Sequence, residues 1–288
     1  MSMSVSPASK SVLIVGGPST GKTTFILQLF GHLRRGIGTL KLRTAPDNYA
    51  HLENAMDRLN NGLEVEHTSL GAYDELRLPL LMPDGAATDL VWPDYDGEQV
   101  AAMMDERRIS PDWEAHVLAA NGWLIFLRPD RVGKADDIIH RPLDELLSAG
   151  PHPANAPIEW SDQAKTIELL QLLLFARRAD ILERLSKPAI GIVLSCWDEL
   201  GVAGTDRRPD DVLRDKLPLL ADFLESNWAS DARFTFGLSS TERPLSRSDP
   251  DEEFVLRGPE KFGFVVTPSG ERDPDISLPL VELLRRNA

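Results

Sequence analysis

The residues best equipped for chemistry stand together at positions 16 to 24, in the run Gly-Gly-Pro-Ser-Thr-Gly-Lys-Thr-Thr. Gly16, four intervening residues and then Gly21-Lys22-Thr23 is the full spacing of a phosphate-binding loop. The glycines let successive backbone N–H groups curl around a β-phosphate, and a helix starting at the loop's end adds positive dipole potential. The Lys22 ammonium would bridge the β- and γ-phosphates. The Thr23 hydroxyl would meet Mg²⁺, a hard cation that prefers oxygen ligands and retains several waters. Gly16, Pro18, Ser19, Thr20, Gly21, Lys22, Thr23 and Thr24 are therefore the expected nucleotide contacts. Pro18 costs one N–H donor and fixes φ, which also stiffens the cradle. The plainer alternative is a glycine-rich turn with an exposed lysine.

Such a loop needs a second carboxylate on the metal side, at the end of a neighbouring strand. Asp94 ends the apolar run TDLVWPDYD and forms Asp-x-x-Gly with Gly97, so its carboxylate can meet a metal-bound water while the Gly97 N–H meets a γ-phosphate. Asp-x-x-Gly is also common in ordinary turns. The base-reading candidate is Asp198, in SCWD after the strand-like AIGIVL. Its carboxylate would accept from both N1–H and the 2-amino group of guanine, whereas adenine lacks both donors. Asp198 also reads as a simple cap before ELG. GLSST, ending the next strand with Ser239 and Ser240, is placed to offer a backbone N–H to the guanine carbonyl.

These residues need a frame, and the hydrophobic pattern predicts one. SVLIV at 11–15 reads as a buried parallel strand, followed by a helix from Lys22 to Arg35 carrying Phe25, Ile26, Leu29, Phe30 and Leu33, with Gly36 as its stop. A second helix covers Asn48 to Asn61. DELRLPLLMP and TDLVWPDYD flank Asp84-Gly85 and predict an antiparallel hairpin. GWLIFLRPD and PAIGIVL are further strands, separated by a helix from about Ser161 to Ser186. One helix over Asp210–Trp228, a last core strand at RFTFGLSST and a terminal helix in DISLPLVELLRR complete the pattern. Helices alternating with apolar strands predict a three-layer α/β fold, its sheet mostly parallel with one antiparallel strand and helices on both faces. We expect a single domain over 1–288, with a Pro-, Gly- and Ala-rich surface insertion at about 131–159.

Bulk composition narrows the classes. The 288 residues are 42% hydrophobic and 26% charged, which suits a globular chain with a sizeable core. A net charge of −14 opposes docking on a nucleic acid backbone or an anionic membrane. The single cysteine, Cys196, cannot form an intramolecular disulfide, the six histidines show no zinc-site spacing, and no signal peptide is evident, so a cytoplasmic protein is expected. The six tryptophans read as core anchors, with Trp197 beside Asp198 the one placed to lie near a base. Arg107-Arg108 and Arg177-Arg178 read as helix-surface charges, and SRSDPDEEF from Ser246 as a solvated acidic loop.

With phosphate loop, Asp-x-x-Gly, base-reading Asp and Ser-containing last loop in order, the chain resembles the Ras-like, translation-factor-related P-loop GTPases. More narrowly, DYDGEQ, SCWDEL and the closing FGFVVTPSGERDPDISLPLVELL are similar to the bacterial double-GTPase family, implicated in predicted conflict or defence systems. The resemblance implies a GTP/GDP switch with a protein effector or activating partner: Lys22 on the phosphates, Thr23 and a switch threonine on Mg²⁺, Gly97 sensing the γ-phosphate, Asp198 reading guanine. Thr68, before the DELRLPLLMP strand, is the switch candidate, whereas Thr44 precedes the second helix; a loop threonine with no metal is the plain alternative. Ser195 and Cys196 occupy places where many relatives have Asn or Thr, then Lys. Glu98 stands where relatives often place a water-orienting glutamine, with Gln99 next. A carboxylate is repelled by a nucleotide triphosphate, which implies slow intrinsic hydrolysis completed by Gln99 or a partner. Two rivals stand beside this reading: a catalytically weak nucleotide-binding regulatory module, and a P-loop ATPase indifferent to Asp198.

Overall fold

The computed structural model describes residues 8–45, 50–65, 75–93, 97–131, 161–179, 183–201 and 206–286. Thr68, Asp94 and, past Arg131, the expected insertion lie outside them, and of Glu98 the helical backbone alone is described.

The strands are β1 (Ala8–Val15), β2 (Lys41–Leu42), β3 (Glu75–Leu81), β4 (Ala87–Pro93), β5 (Ala120–Leu127), β6 (Ala189–Leu194), β7 (Arg233–Ser239), β8 (Phe264–Val266) and β9 (Arg272–Asp273). The helices are α1 (Lys22–Arg34), α2 (Ala50–Asn60), α3 (Gly97–Glu106), α4 (Pro111–Ala119), α5 (Asp162–Ala176), α6 (Pro209–Lys216), α7 (Pro218–Asn227), α8 (Glu252–Arg257) and α9 (Leu278–Arg286). All described strands join one sheet in the order β2-β3-β4-β1-β5-β6-β7-β8-β9. From β4 to β7 neighbours are parallel; β3 runs against β4 and β8 against β7.

Why the sheet is covered on both sides is visible along β1. Val12 and Ile14 enter one core with α1, α2 and α9, while Leu13 and Val15 enter the other with α4, α5, α6 and α7. Successive side chains of a strand point to opposite faces, so a continuous apolar run requires two apolar layers. Each fully buried aliphatic side chain contributes about 1.5–3 kcal/mol. The β3–β4 hairpin alternates instead: Leu76, Leu78 and Leu80 are buried, and Arg77 and Leu81 face outward. Its turn has Gly85 at φ 84°, with the Asp84 carboxylate accepting from the Ala86 N–H at 2.9 Å. Helix α1 stops at Gly36 (φ 67°), where the Gly36 and Ile37 N–H groups return to the Leu33 and His32 carbonyls.

Four expectations need correction. The helix from Ser161 ends at Ala176, about ten residues early: Arg178 turns left-handed (φ 52°) and Leu185 pairs with Trp228 as extended chain. The helix over Asp210–Trp228 is two, broken at Leu217 (φ −137°, ψ 58°), because Pro218 bars the preceding residue from helical geometry. The strand RFTFGLSS is not the last, since β8 and β9 extend the sheet past it and β8 adds a second antiparallel strand. Arg177 is no surface charge: its guanidinium donates to the Val117 and Ala120 carbonyls, both at 2.9 Å, and burial lowers its pKa. The terminal helix starts with proline at its first turn, where a missing N–H costs nothing.

Candidate nucleotide-binding site

The parallel strands deliver their chain continuations to one edge of the sheet, where ligands of open α/β sheets bind. From β1 the chain enters the 16–21 loop, from β5 it reaches Arg128, from β6 Ser195–Asp198, and from β7 Ser239 and Ser240.

The loop is built for close backbone approach. A Cβ on Gly16 would lie 2.6 Å from the Phe126 carbonyl oxygen and 2.8 Å from Thr20 Oγ1, whereas one on Gly17 would meet open space. Gly21 begins α1 in the left-handed region (φ 77°), and Ser19 shares that region (φ 58°). No side chain caps α1 and its first turn holds no acidic residue, so the helix's positive end is left to an anion. The Lys22 ammonium donates to the Gly16 carbonyl at 2.7 Å, the Gly17 carbonyl at 2.9 Å and Thr20 Oγ1 at 3.3 Å. It thus sits over its own loop, where a β- or γ-phosphate would replace those acceptors. Thr20 Oγ1 closes the turn on the Gly17 carbonyl at 2.9 Å. Thr23 and Thr24 are half-buried in the first turn of α1.

The base-side segment lies beside this loop. A Cβ on Gly21 would lie 3.8 Å from Ser195 Cβ and 4.0 Å from Cys196 Sγ. Ser195 is pinned to β5, its N–H at 2.8 Å and its hydroxyl at 3.0 Å from the Leu127 carbonyl. Cys196 is left-handed (φ 50°, ψ 42°) and opens a short 3-10 turn over Trp197–Leu200. Burial pushes its thiol up to about 12, and the nearby Arg128 cation offsets only part of that. Trp197 is wholly buried, its indole seated where a Cβ on Gly237 would lie 2.4 Å from Cε3. The expectation that Trp197 lies beside a base is corrected: it is a core anchor, like the buried Trp113, Trp123 and Trp228. Asp198, next in the turn, is half-buried and lines a cleft of about 420 Å³ with Glu242, Phe264 and Arg272. The cap position of this turn belongs to Cys196, and Asp198 lies inside the turn and not at its cap.

Ser239 ends β7 and Ser240 follows it. The Ser239 hydroxyl accepts from the Glu242 N–H at 2.9 Å, and the Ser240 carbonyl accepts from Gln28 Nε2 at 2.8 Å. Gln28, wholly buried in α1, also donates to the Pro259 carbonyl at 2.9 Å. It therefore ties the helix behind the phosphate loop to the turn after β7. The helical spacing of α1 gave no hint of this, because a lone polar residue between apolar turns reads as surface.

Arg128 is the second residue that sequence reasoning missed. Its guanidinium, with the side chain 13% exposed, donates to Glu199 Oε2 at 2.6 Å, to Asp130 Oδ1 at 3.2 Å and to the Ser19 carbonyl at 3.4 Å. Burial works against its charge, but the Cys196 sulfur and the Asp130 and Glu199 carboxylates outweigh that and raise its pKa. The signal was legible in RPD, a cation directly after a strand that neighbours β1.

On the side where a metal is expected, Gly97 begins α3 and Gln99 is exposed on it, while β4 pairs with β1 up to Val91 and ends at Pro93. Thr44 is exposed just past β2. Among the described residues no cluster of three or more His, Cys, Asp or Glu side chains is placed to hold a metal, and no helix is long and apolar enough to cross a membrane. Of the acidic segment after Ser246, Asp251 is the cap of α8, accepting from the Phe254 N–H at 2.8 Å.

Fold and loop together define a P-loop nucleotide-binding α/β protein. The family model described as Double-GTPase 1 matches residues 13–283, and the chain belongs to that family of P-loop GTPases. No curated protein matches. Among solved structures, the chain is similar to the S. cerevisiae Ski7 GTPase-like domain bound to GTP, at 10% identity and a TM-score of 0.48, covering 98% of this chain and 50% of that one. It is also similar to the same domain bound to GDP and inorganic phosphate, at 12% identity and a TM-score of 0.39, covering 81% and 43%. The chain thus spans about half the length of these structures or less.

Proposed function

We propose that this protein binds GTP with Mg²⁺, hydrolyses it slowly and acts as a nucleotide-controlled switch, in a setting that its family resemblance suggests is bacterial conflict or defence. The observation that carries the reading is the pairing at one sheet edge of an uncapped Gly21-Lys22 helix start with Asp198, a cleft-lining carboxylate. The two are neighbours, with Ser195 and Cys196 lying just beyond a methyl group's reach of Gly21. Triphosphate and guanine would engage these two ends.

In this reading the loop amides and Lys22 hold the β- and γ-phosphates and draw charge from the leaving β-phosphate oxygen as water attacks the γ-phosphorus in line. Mg²⁺ would be held by the Thr23 hydroxyl, with Asp94 and Thr68 completing the protein's share, and would supply charge neutralisation between the phosphates. Loss of the γ-phosphate releases the contacts made by Gly97 and the switch threonine, altering a partner surface. Glu98 makes a poor water-orienting group and exposed Gln99 is open to a partner, which supports a low intrinsic rate.

The test measures GTP and ATP binding side by side, together with phosphate release. Wild type should prefer GTP, and Asp198→Ala should remove roughly 100-fold or more of that preference, since a site built to hydrogen-bond a substrate rejects one lacking the partner groups. Lys22→Ala should abolish binding of both nucleotides. Preference for ATP, or indifference to Asp198→Ala, favours the ATPase; GTP binding without phosphate release, even with a partner, favours the regulatory module.

A further inference from the structure

Beta-strand 5 carries no residue that the loop motifs assign to the nucleotide, yet it leads into a cation with partners on three segments of the site edge. Burying a guanidinium is costly unless its donors are matched. Arg128 finds its partners in the two nucleotide segments themselves: the Ser19 carbonyl of the phosphate loop at 3.4 Å, and Glu199, the residue after Asp198, at 2.6 Å. Asp130 fixes the guanidinium plane from its own turn, 3.2 Å from Nε. One residue earlier, the Leu127 carbonyl takes both the N–H and the hydroxyl of Ser195. The end of β5 is therefore a bracket between the loop that would hold phosphate and the turn that would hold guanine. Arginine suits this place because its rigid planar fork spreads its donors over three nitrogens and so spans acceptors on separate segments, whereas a lysine gathers its donors on one nitrogen.

We propose that Arg128 is a positioning residue for the nucleotide: by joining the Ser19 carbonyl to the Glu199 carboxylate it fixes the separation between the phosphate cradle and Asp198, so that both ends of GTP bind at once. The idea rests on the reading of these segments as a GTP site. A ligand that spans two half-sites gains affinity when the protein holds them at the spanning distance beforehand, and loses it when they drift.

The experiment is calorimetric titration of Arg128→Ala, Asp198→Ala and the double variant with GTP and with inorganic tripolyphosphate, in Mg²⁺, alongside the melting temperature of each protein. Losing a charge-assisted bond of this kind should weaken GTP binding roughly 10- to 100-fold in Arg128→Ala. Tripolyphosphate, which needs the phosphate loop alone, should change by less than about threefold, a limit set by the additivity of independent sites. In the Asp198→Ala background the Arg128 substitution should likewise cost less than about threefold in GTP affinity. Equal losses for GTP and tripolyphosphate, fully additive losses in the double variant, or unchanged GTP binding in Arg128→Ala would each overturn the proposal. If wild type fails to bind GTP, the reading of the site fails; if wild type binds GTP and Asp198 matters but Arg128 does not, the positioning role alone fails. Should Arg128→Ala not fold, Arg128→Lys, which keeps the charge but loses the planar fork, is expected to show a smaller loss with the same contrast between the two ligands, and a loss shared equally by both ligands would overturn the proposal there too.

Discussion

Cys196 shows how a single side chain changes meaning with its surroundings. By sequence it stands where the resemblance places a lysine, and a lone thiol at a nucleotide edge invites a reactive reading. In the structure it is left-handed, packed toward Gly21, and its thiol is pushed up to about 12 by burial. The thiolate is the nucleophile, so almost none is present at neutral pH. Alkylation by iodoacetamide at pH 8 should therefore run at least about tenfold slower than for a free thiol of ordinary pKa, and mass spectrometry of the intact protein checks this; labelling at the free-thiol rate would show the pocket to be open. The phosphate loop was the most legible feature of the sequence, because the spacing Gly16-x-x-x-x-Gly21-Lys22-Thr23 between a strand and a helix suits little besides a phosphate cradle. Gln28 was not found because its partners are backbone carbonyls up to 234 residues away in the chain, which no local spacing encodes, whereas Arg128 had a local signal in RPD that was passed over.

Helix α1 links the loop at its start to the rest of the site through one buried amide. Gln28 Nε2 donates to the carbonyls of Ser240, Pro259 and Phe262, at 2.8, 2.9 and 3.3 Å. Replacing it with leucine leaves these buried acceptors short of a donor, at about 1–3 kcal/mol. Gln28→Leu should lower the melting temperature by several degrees, on the order of 2–8 °C for that cost, and loosen the Ser239–Ser240 turn, seen as faster amide exchange there. An unchanged melting temperature would mean that water replaces the lost donor. Strand and helix identities were legible wherever apolar residues recur with one clear period, as in β1, β6 and α1. They were misjudged where tertiary geometry overrides the pattern: Pro218 splits α6 from α7, and the three-residue β8 is too short to show alternation yet is held by β7.

The whole sheet is sandwiched between two cores, and one of them encloses an ionisable group. His32, buried at the C-terminal end of α1, has its pKa lowered by burial, although the Phe262 backbone and the Asp275 and Glu260 carboxylates pull the other way. The folded form thus keeps it neutral while the unfolded chain takes up a proton near pH 6.5. Its contribution is intact above that value and lost as pH falls below it, by up to about 1.4 kcal/mol per pH unit. The melting temperature should drop between about pH 7.5 and 5.5 and drop less in His32→Gln; an equal slope in both would assign the dependence to other groups. Layering and strand direction were readable in advance, since continuous apolar runs demand cover on two sides. The sheet's outer β8–β9 border was not, and it bounds the cleft beside Asp198. Trp197, wholly buried in the seat at Gly237, braces the turn that carries Asp198 against β7. In the proposed switch the base-side end would then serve as a fixed anvil, and the news of hydrolysis would travel along the opposite flank, through α3 and the β3–β4 ribbon.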